Sequence, residues 1–440
     1  MKKSAELMLD TEQLNKTKGK KPACLVIEDE GDNICTMKYD DGSYYKGEML
    51  NGKRHGKGKW IIEDGFVLEG EFRDDDLNGQ GKAIVDGTTF EGEFKYGKLN
   101  GNGKVTLAGG TVYEGEFIDD MLNGIGRITL PDGDIFEGRF IDNALNGYGK
   151  IILGNDEFWE GDFVDNYLNG SGRVVFESGE TWEGKFKNDK LNGRGKIVFP
   201  DGETHEGNFK ENALNGYGKI TFPNGEMHEG EFENGDLNGL CRVVFSDGTV
   251  FIGDYVDNDL NGHGKKTFIS GEVHEGEFKN DKLNGKGKII FPNGEFHQGE
   301  FKDNQLFGDG TASFPDGEVW TGKFKQNKLN GQGKRTFSNG EVWKGTFKDN
   351  MLNGRGEMRF KDGEVWKGTF KNGKLDGLGK KTLSNGTSYE GEFVDDEPNG
   401  ELKVTYSNGT SKTEYYYQGE KISKISYVIK KMLKKYKTTK

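Results

Sequence analysis

The chain has 440 residues, a net charge of -13, and 71 glycines against only 7 prolines. Collagen is excluded because the glycines follow no three-residue period, and the acidic balance argues against nucleic acid as a partner. With 32% hydrophobic residues and 3 cysteines, we expect a thin structure with neither a deep core nor a disulfide framework.

Two short segments precede the regular part of the sequence. Residues 1–22 are polar and rich in lysine, which predicts a mobile segment. Residues 23–37 include the apolar run CLVI, which predicts a strand region that caps the array. The first residues lack the apolar stretch of a secretory signal, and no apolar run is long enough to cross a membrane. We therefore expect a cytoplasmic location.

A period of 23 residues makes residues 38–419 one repeat array. Its register is set by the anchor glycine, defined here as the glycine of each aromatic-x-Gly-x-Phe unit. The anchor glycines are Gly47, Gly70, Gly92, Gly115, Gly138, Gly161, Gly184, Gly207, Gly230, Gly253, Gly276, Gly299, Gly322, Gly345, Gly368 and Gly391. Every step is 23 residues except the second, which is 22. The sequence therefore contains sixteen repeats, followed by a degenerate seventeenth around residues 406–419.

Each repeat has the pattern of a β-hairpin. At residues 181–203 a Trp-Glu-Gly-Lys-Phe segment alternates large apolar and charged residues, which is typical of a half-buried strand. The Leu-Asn-Gly segment that follows predicts the turn, because Asn and Gly accept positive φ. A second strand then leads to Pro-Asp-Gly at 200–202, a turn between repeats. One hairpin cannot bury its apolar face alone, so neighbouring hairpins are predicted to stack.

Four columns of side chains are predicted to build the core: the aromatic before the anchor glycine, the Phe after it, the Leu of Leu-Asn-Gly, and the apolar residue before the inter-repeat turn. The predicted fold is all-β, an elongated single-sheet hairpin solenoid, or rod, roughly 150 Å long, with a short basic C-terminal helix. Glu on the first strand and Lys or Arg on the second predict a solvated face with cross-strand ion pairs.

The unit YEGEF…LNGxGK…PDG resembles the MORN repeat (membrane occupation and recognition nexus), and Arg54-His55-Gly56-Lys57-Gly58 matches the usual family form closely. The other repeats depart from that form, most of them with Leu-Asn-Gly where the family often has Lys-x-His-Gly. The resemblance implies β-hairpin arrays that serve in cytoskeletal and ciliary scaffolds, at membrane junctions, or beside lipid-kinase or methyltransferase domains.

No catalytic residue and no cofactor site is predicted. No Ser or Thr follows any Gly-Lys pair in the form that a phosphate-binding loop requires, and no nucleophile elbow or zinc-protease motif occurs. The chain is therefore interpreted as non-enzymatic.

Two sequence patterns resemble metal-binding sites, but neither is predicted to bind a metal. His205, His228, His274 and His297 occupy the aromatic column, where equivalent positions lie roughly 9–10 Å apart, too far for two imidazoles to share zinc. They are interpreted as flat substitutes for Tyr or Trp. Residues 257–262 (DNDLNG) resemble the start of a calcium loop, but the twelfth position, which needs an acid, is Phe268.

One stretch departs from the charge pattern. At residues 320–324, 343–347 and 366–370, Thr or Lys replaces the acid beside the anchor glycine, next to three successive tryptophans. Loss of negative charge beside large aromatics predicts a partner-binding patch, and drift among equivalent repeats is the alternative. The candidate residues are Trp320, Trp343, Lys344, Trp366 and Lys367.

The tail at residues 420–440 is basic and has apolar residues at helical spacing. Three interpretations stay open: it caps the last hairpin, it pairs with an acidic array of its own or another chain, or it lies on an anionic membrane surface. The candidate binding residues of the tail are Lys424, Ile425, Ile429, Lys430, Lys431, Met432, Leu433, Lys434, Lys435 and Tyr436.

The sequence therefore predicts a scaffold or spacer that binds other proteins, in a cytoskeletal or ciliary assembly, with possible self-association. A peripheral membrane adaptor that binds anionic lipid on the cytoplasmic face of a membrane is the alternative.

Overall fold

The computed structural model describes residues 24–29, 34–62 and 65–437, which fall into two units that divide after residue 223. The mobile segment predicted at residues 1–22 lies outside the described residues. In both units the strands are antiparallel and pair with their neighbours in chain order, except that β33 pairs with both β34 and β35. The domain boundaries drawn from the sequence stay a prediction.

The described part of the first unit consists of strands from the cap region to the hairpin that contains the eighth anchor glycine. They are β1 (Cys24–Asp29), β2 (Ile34–Tyr39), β3 (Tyr44–Leu50), β4 (Lys53–Ile61), β5 (Val67–Arg73), β6 (Asp76–Val85), β7 (Thr88–Lys95), β8 (Lys98–Thr106), β9 (Val112–Ile118), β10 (Met121–Thr129), β11 (Ile135–Ile141), β12 (Ala144–Ile152), β13 (Phe158–Val164), β14 (Tyr167–Val175), β15 (Thr181–Lys187), β16 (Lys190–Val198), β17 (Thr204–Lys210) and β18 (Ala213–Thr221).

The second unit consists of strands and one helix. They are β19 (Met227–Glu233), β20 (Asp236–Val244), β21 (Val250–Val256), β22 (Asp259–Thr267), β23 (Val273–Lys279), β24 (Lys282–Ile290), β25 (Phe296–Lys302), β26 (Gln305–Ser313), β27 (Val319–Lys325), β28 (Lys328–Thr336), β29 (Val342–Lys348), β30 (Met351–Arg359), β31 (Val365–Lys371), β32 (Lys374–Thr382), β33 (Ser388–Val394), β34 (Glu397–Pro398), β35 (Gly400–Thr405), β36 (Ser411–Tyr417), β37 (Glu420–Ile422) and α1 (Lys424–Lys437).

The anchor glycine holds the two strands of each hairpin unusually close. Gly184 pairs with Gly195, and a Cβ at Gly184 would lie 2.5 Å from the carbonyl oxygen of Arg194. The φ of Gly184 is +149°, which favours glycine. Beyond this pair the ladder loses register, so that Phe186 next faces Leu191. The glycine is therefore required by both the contact and the backbone conformation.

The core is one-sided. Because side chains alternate along a strand, Trp182, Gly184 and Phe186 share one face, defined here as the apolar face, while Glu183 and Lys185 share the opposite, polar face. The Phe and Leu columns are almost fully buried, as at Phe186 and Leu191. The sequence placed the fourth column at the residue before the inter-repeat turn, Phe199. The structure instead buries Ile197, two residues earlier, and leaves Phe199 half-buried, packed on His205.

The hairpin turn lies before Leu-Asn-Gly, so the prediction that Asn-Gly forms the turn is wrong. In the calcium-loop lookalike, Asp257 and Asn258 have φ values of 49° and 69° and form the two-residue turn between β21 and β22. Positive φ at both central residues matches the twist of the flanking strands. Leu260, Asn261 and Gly262 belong to β22.

The turn residues also join successive repeats. Asn212 lies in the turn of one repeat, and its side-chain oxygen accepts a hydrogen bond of 2.7 Å from the backbone N–H of Leu191 in the repeat before. The backbone N–H of Asn212 donates in return to the carbonyl oxygen of Leu191. The same pair of bonds joins Asn258 to Leu237 and Asn350 to Leu329. Asn or Asp is needed here as an acceptor between repeats as well as for positive φ.

The predicted all-β hairpin solenoid is confirmed in both units, and so is the short C-terminal helix.

Candidate interaction surfaces

The polar face of the first unit is lined by regular ion pairs. Each pair joins a Lys or Arg of a second strand to the Glu before the next anchor glycine: Lys82 with Glu91 at 2.6 Å, Lys104 with Glu114 at 2.7 Å, and Arg127 with Glu137 at 2.9 Å. The groups are roughly half exposed, so each pair adds little to stability. The alternation leaves this part of the polar face close to neutral.

The alternation fails in the second unit. Lys334 stands opposite Thr321 on one side and Lys344 on the other. Lys367 stands opposite Lys380, and Glu357 is the acid between the two lysine pairs. We name Lys334, Lys344, Lys367 and Lys380 the basic stripe. Lys367 pairs with Glu357 at 3.0 Å and Lys380 with Glu390 at 3.3 Å, so four cations meet two acids and this part of the polar face has a net positive charge.

The structure does not bring the predicted tryptophans and lysines onto one surface. Lys344 and Lys367 are exposed on the polar face, whereas Trp343 and Trp366 are half-buried on the apolar face. Successive residues of a strand point to opposite sides, so no flat partner could contact both sets at once. The tryptophans and the lysines of the predicted patch therefore belong to two different surfaces.

The tryptophans are held by neighbours of the same unit. Trp343 and Trp366 donate from Nε1 to the carboxylates of Glu341 and Glu364, at 2.5 Å in each case. The ring of Phe337 packs edge-on against Trp343, with centroids 5.0 Å apart. These contacts give the rings a structural role.

Trp320 lacks the hydrogen bond that Trp343 and Trp366 make, because the guanidinium of Arg335 engages the equivalent carboxylate, that of Glu318. The guanidinium of Arg335 pairs with Glu318 at 2.6 Å and lies over the Trp320 ring, 4.7 Å from its centroid. Arg335 also lies 5.4 Å from the Trp343 ring centroid. With Glu318 engaged, the buried Nε1 of Trp320 has no hydrogen-bond partner among the described residues. Sequence reasoning missed this cluster, although Arg at the position of Ile197 is a visible break in the repeat.

Two further cations replace apolar residues on the same face. Lys266 is almost buried and its ammonium group lies 2.8 Å from Asp281 and 4.0 Å from the Phe251 ring centroid. Lys381 lies 3.5 Å from the Trp366 ring centroid. Burial lowers the pKa of both lysines, because removal from water disfavours the charged form. These lysines are internal and do not belong to the basic stripe.

The four histidines of the aromatic column hydrogen-bond as the tryptophans do. Nε2 of His205 lies 2.6 Å from a carboxylate oxygen of Glu203, two residues earlier, and Nε2 of His228 lies 2.8 Å from Glu226. His274 and His297 make the same contact. Within the described ranges no group of acids, histidines or cysteines could hold a metal ion.

The C-terminal tail forms helix α1, whose apolar side is exposed. Ser423 caps its first turn by accepting a hydrogen bond from the backbone N–H of Ser426. The helix contacts the last hairpin through Tyr427, whose ring lies 5.3 Å from Tyr415, and through Lys430, 3.7 Å from the Tyr417 ring centroid.

The apolar stripe of α1 makes no such contact. Its exposed fractions are 75% at Ile425, 53% at Ile429, 63% at Met432 and 60% at Leu433. The side chains of residues 434–436 lie outside the described part of the tail. A helix that only capped the array would turn these residues inward, so the exposure favours a binding role. No helix in the described ranges is long and apolar enough to cross a membrane.

An exposed apolar patch in the first unit escaped the sequence analysis. Three consecutive repeats place apolar residues on the polar face, and those on either side of the hairpin turn stand where many other repeats have lysine. We name this set the apolar patch: Ile118, Met121, Ile125, Ile141, Tyr148, Val164 and Tyr167. Its exposed fractions reach 63% at Ile125 and 65% at Tyr148. The signal was present in the sequence, since the flanking repeats have Lys95–Lys98 and Lys187–Lys190 at the same positions.

Comparisons with known proteins identify the repeat. A protein-family model described as MORN repeat matches sixteen consecutive segments, at residues 45–67, 69–89, 90–112, 113–135, 136–156, 159–181, 182–204, 205–227, 228–250, 251–273, 274–296, 297–319, 320–342, 343–365, 366–388 and 389–411. Comparison with curated protein sequences gave no significant match.

Solved structures show only weak similarity. The wild-type TCP10 domain of Danio rerio CPAP is 16% identical over 54% of this chain and 96% of that one, with a TM-score of 0.23. The SAS-4 (dCPAP) TCP domain of Drosophila melanogaster is 14% identical over 50% and 88%, with a TM-score of 0.17. Virginiamycin B lyase from Staphylococcus aureus is 11% identical over 66% and 94%, with a TM-score of 0.12. TM-scores this low transfer no function.

Proposed function

Because the chain belongs to the MORN repeat family, a family of non-enzymatic repeat proteins, we propose that it is a scaffold that binds other proteins along the polar face of its hairpin array. The observation that carries the proposal is the basic stripe. In the column beside the anchor glycine an acid faces a cation in most repeats, as Glu91 faces Lys82 and Glu114 faces Lys104, whereas Lys334 and Lys344 face each other directly. Like charges on adjacent strands are unfavourable in the free chain and become favourable when an acidic partner lies across them.

The partner is therefore an acidic segment of another protein. In line with the family resemblance, we propose a component of a cytoskeletal or ciliary assembly in the cytoplasm. Binding through exposed lysines depends strongly on salt, because the interaction is screened over about 8–10 Å at physiological ionic strength.

The test is capture of partners by the full-length chain with Lys344→Glu and Lys367→Glu together. Glutamate is the residue of most other repeats at this position, so the fold should tolerate it. We expect the double variant to capture native partners, and to bind a synthetic poly-glutamate peptide, roughly tenfold less well. The matched control reverses two exposed lysines of the first unit, Lys187→Glu and Lys210→Glu, and should bind as the unchanged chain does. Equal capture by the stripe variant would contradict the proposal.

A peripheral membrane adaptor is the second candidate, favoured by the exposed apolar side of α1. Basic amphipathic helices lie on anionic membranes with their apolar side inserted. Flotation with vesicles of phosphatidylserine and phosphatidylcholine separates the candidates. Anionic-lipid flotation that is lost when residues 421–440 are removed would support the adaptor, and absence of flotation would contradict it.

A further inference from the structure

We propose that helix α1 of one copy of the chain docks on the apolar patch of a second copy. This inference rests on the scaffold function and names one of its partners, at surfaces that share no residue with the basic stripe. Contiguous exposed apolar surface marks interaction sites in soluble proteins. The described part of the chain exposes a series of large apolar side chains on α1 and another on three successive hairpins of the first unit.

The two surfaces match in size. The patch crosses three hairpins, so its outer columns, Ile118 and Val164, are two repeats apart, roughly 19 Å at two strand spacings per repeat. Helix α1 has 14 residues and is about 21 Å long. Ile425 and Met432 are seven residues apart, about 10 Å along the axis, which is close to the spacing of one repeat. A helix laid across the strands can therefore place successive apolar residues on successive hairpins.

The two surfaces also match in charge. Exposed carboxylates border the patch: Asp119, Asp142 and Asp165 in the three turns, with Glu116 and Asp162 beside Ile125 and Tyr148. Arg139 is the one basic residue in these columns of the three repeats. Helix α1 offers Lys424, Lys430 and Lys431 and has no acid in its sequence. Opposite charges around an apolar contact orient the partners and speed their association.

This match favours protein over lipid as the occupant of α1. The same acids that attract a basic helix would repel an anionic membrane, so the patch and α1 cannot serve one lipid surface together. Each copy carries one helix and one patch, which makes the contact heterologous, so that copies link head to tail. A single helix buries less surface than a stable interface requires, so we expect association in roughly the micromolar range.

The test uses complementation between two full-length variants. The patch variant, Ile118→Lys, Ile141→Lys and Val164→Lys, installs the residue that equivalent repeats carry at Lys95, Lys187 and Lys279, so the fold should tolerate it. The helix variant, Ile429→Gln, Met432→Gln and Leu433→Gln, uses a good helix former. Far-UV circular dichroism checks that both fold, and sedimentation velocity up to about 100 μM measures the mass.

We expect the unchanged chain to grow in mass with concentration and each variant alone to stay monomeric. Mixed together, they should form a 1:1 dimer and nothing larger, because only one intact helix and one intact patch then remain per pair. The matched control, Val256→Lys and Val394→Lys, replaces isolated exposed valines of the same column and should associate as the unchanged chain does.

Four results would overturn the proposal: an unchanged chain that stays monomeric, a patch variant that still associates by itself, a mixture that forms no dimer, or a chain that meets anionic vesicles through α1 without self-association. None of these results affects the stripe experiment, since the stripe lysines are unchanged in every variant. Loss of self-association and loss of partner capture are therefore distinguishable.

Discussion

Single residues in this chain decide whether the two strands of a hairpin can pair. The anchor glycine is the clearest case, because Gly184 combines a φ of +149° with a strand so close that any Cβ would overlap the backbone of β16. Gly202, in the inter-repeat turn, also has positive φ, at 94°, but a Cβ there would meet no atom within 4 Å. In the turn, glycine is needed only for its positive φ. At the anchor, glycine is needed for its positive φ and for the close approach of the neighbouring strand.

We expect Gly184→Ala to destabilise its repeat by roughly 2–4 kcal/mol, since strain and overlap add. The matched control, Gly202→Ala, should cost only about 1 kcal/mol for its φ. Urea unfolding followed by tryptophan fluorescence measures both. Equal losses at the two positions would show that the close approach at the anchor has no energetic weight.

Lys266 is a buried cation at a position that most other repeats fill with Val or Ile. Burial lowers its pKa below the ordinary value of 10.5. The unfolded chain therefore binds a proton that the folded chain tends to lose, and stability rises as pH increases from the folded pKa to 10.5. At neutral pH the burial of the charged ammonium group therefore destabilises the fold, and the ion pair with Asp281 offsets this only in part.

We expect Lys266→Ile to stabilise the chain by about 1 kcal/mol at pH 7, because apolar replacement of a buried ion pair is often favourable and Asp281 keeps access to water. The advantage should shrink as pH rises toward 10. Urea midpoints at pH 7 and pH 10 measure it. The change Lys265→Ile, at the neighbouring position on the polar face, is the control and should show no such pH dependence.

At the scale of the element, each hairpin is completed by its neighbour. The turn of one repeat supplies the acceptor for the backbone N–H of the buried Leu in the repeat before, as Asn212 does for Leu191. At many of the inter-repeat turns an aromatic ring packs on the next repeat, as Phe176 does on Trp182 at 4.9 Å. A strand pair alone would leave both the N–H group and the ring exposed, which is why the fold needs an array.

We expect Asn212→Gly to destabilise the array by about 1 kcal/mol, because Gly keeps the positive φ but leaves the N–H of Leu191 without its acceptor. Asn212→Asp keeps the acceptor and is the control, since Asp189 fills the same role for Leu168. Hydrogen exchange at the Leu191 amide reports the bond directly. Unchanged protection in the Gly variant would contradict this role.

At the scale of the whole molecule, stability and binding are distributed along the chain. Within each unit the hydrogen-bonded pairs join strands that are consecutive or nearly so, such as β15 with β14 and β16. Stability is then close to a sum of repeat and neighbour terms. Binding surfaces arise where several successive repeats carry the same kind of altered residue on the polar face, as in the apolar patch and the basic stripe.

We expect the effect of Gly184→Ala to stay local. Amide hydrogen exchange should quicken in residues 158–221 and stay unchanged in residues 319–394, because strain passes only between neighbouring repeats. Mass-spectrometric exchange of the full-length chain provides the measurement, with Gly202→Ala as the weaker control. Uniform acceleration over the chain would mean that the array unfolds as one cooperative body.

The sequence by itself determined the repeat, its period, the all-β hairpin fold and the polarity of the two faces. These follow from local alternation and from glycine, which act through nearest neighbours and recur sixteen times. The tertiary structure decided the position of the turn, since Asn-Gly and the preceding Asx pair both tolerate positive φ and only hydrogen-bond register distinguishes them.

The tertiary structure also decided which side chains share a surface. Trp343 and Lys344 are adjacent in sequence yet lie on opposite faces, whereas Ile118, Ile141 and Val164 are 23 residues apart and form one patch. Which side chains of different repeats lie side by side depends on the hydrogen-bonded pairing of their strands. The sequence shows these neighbours only once the register of that pairing is known.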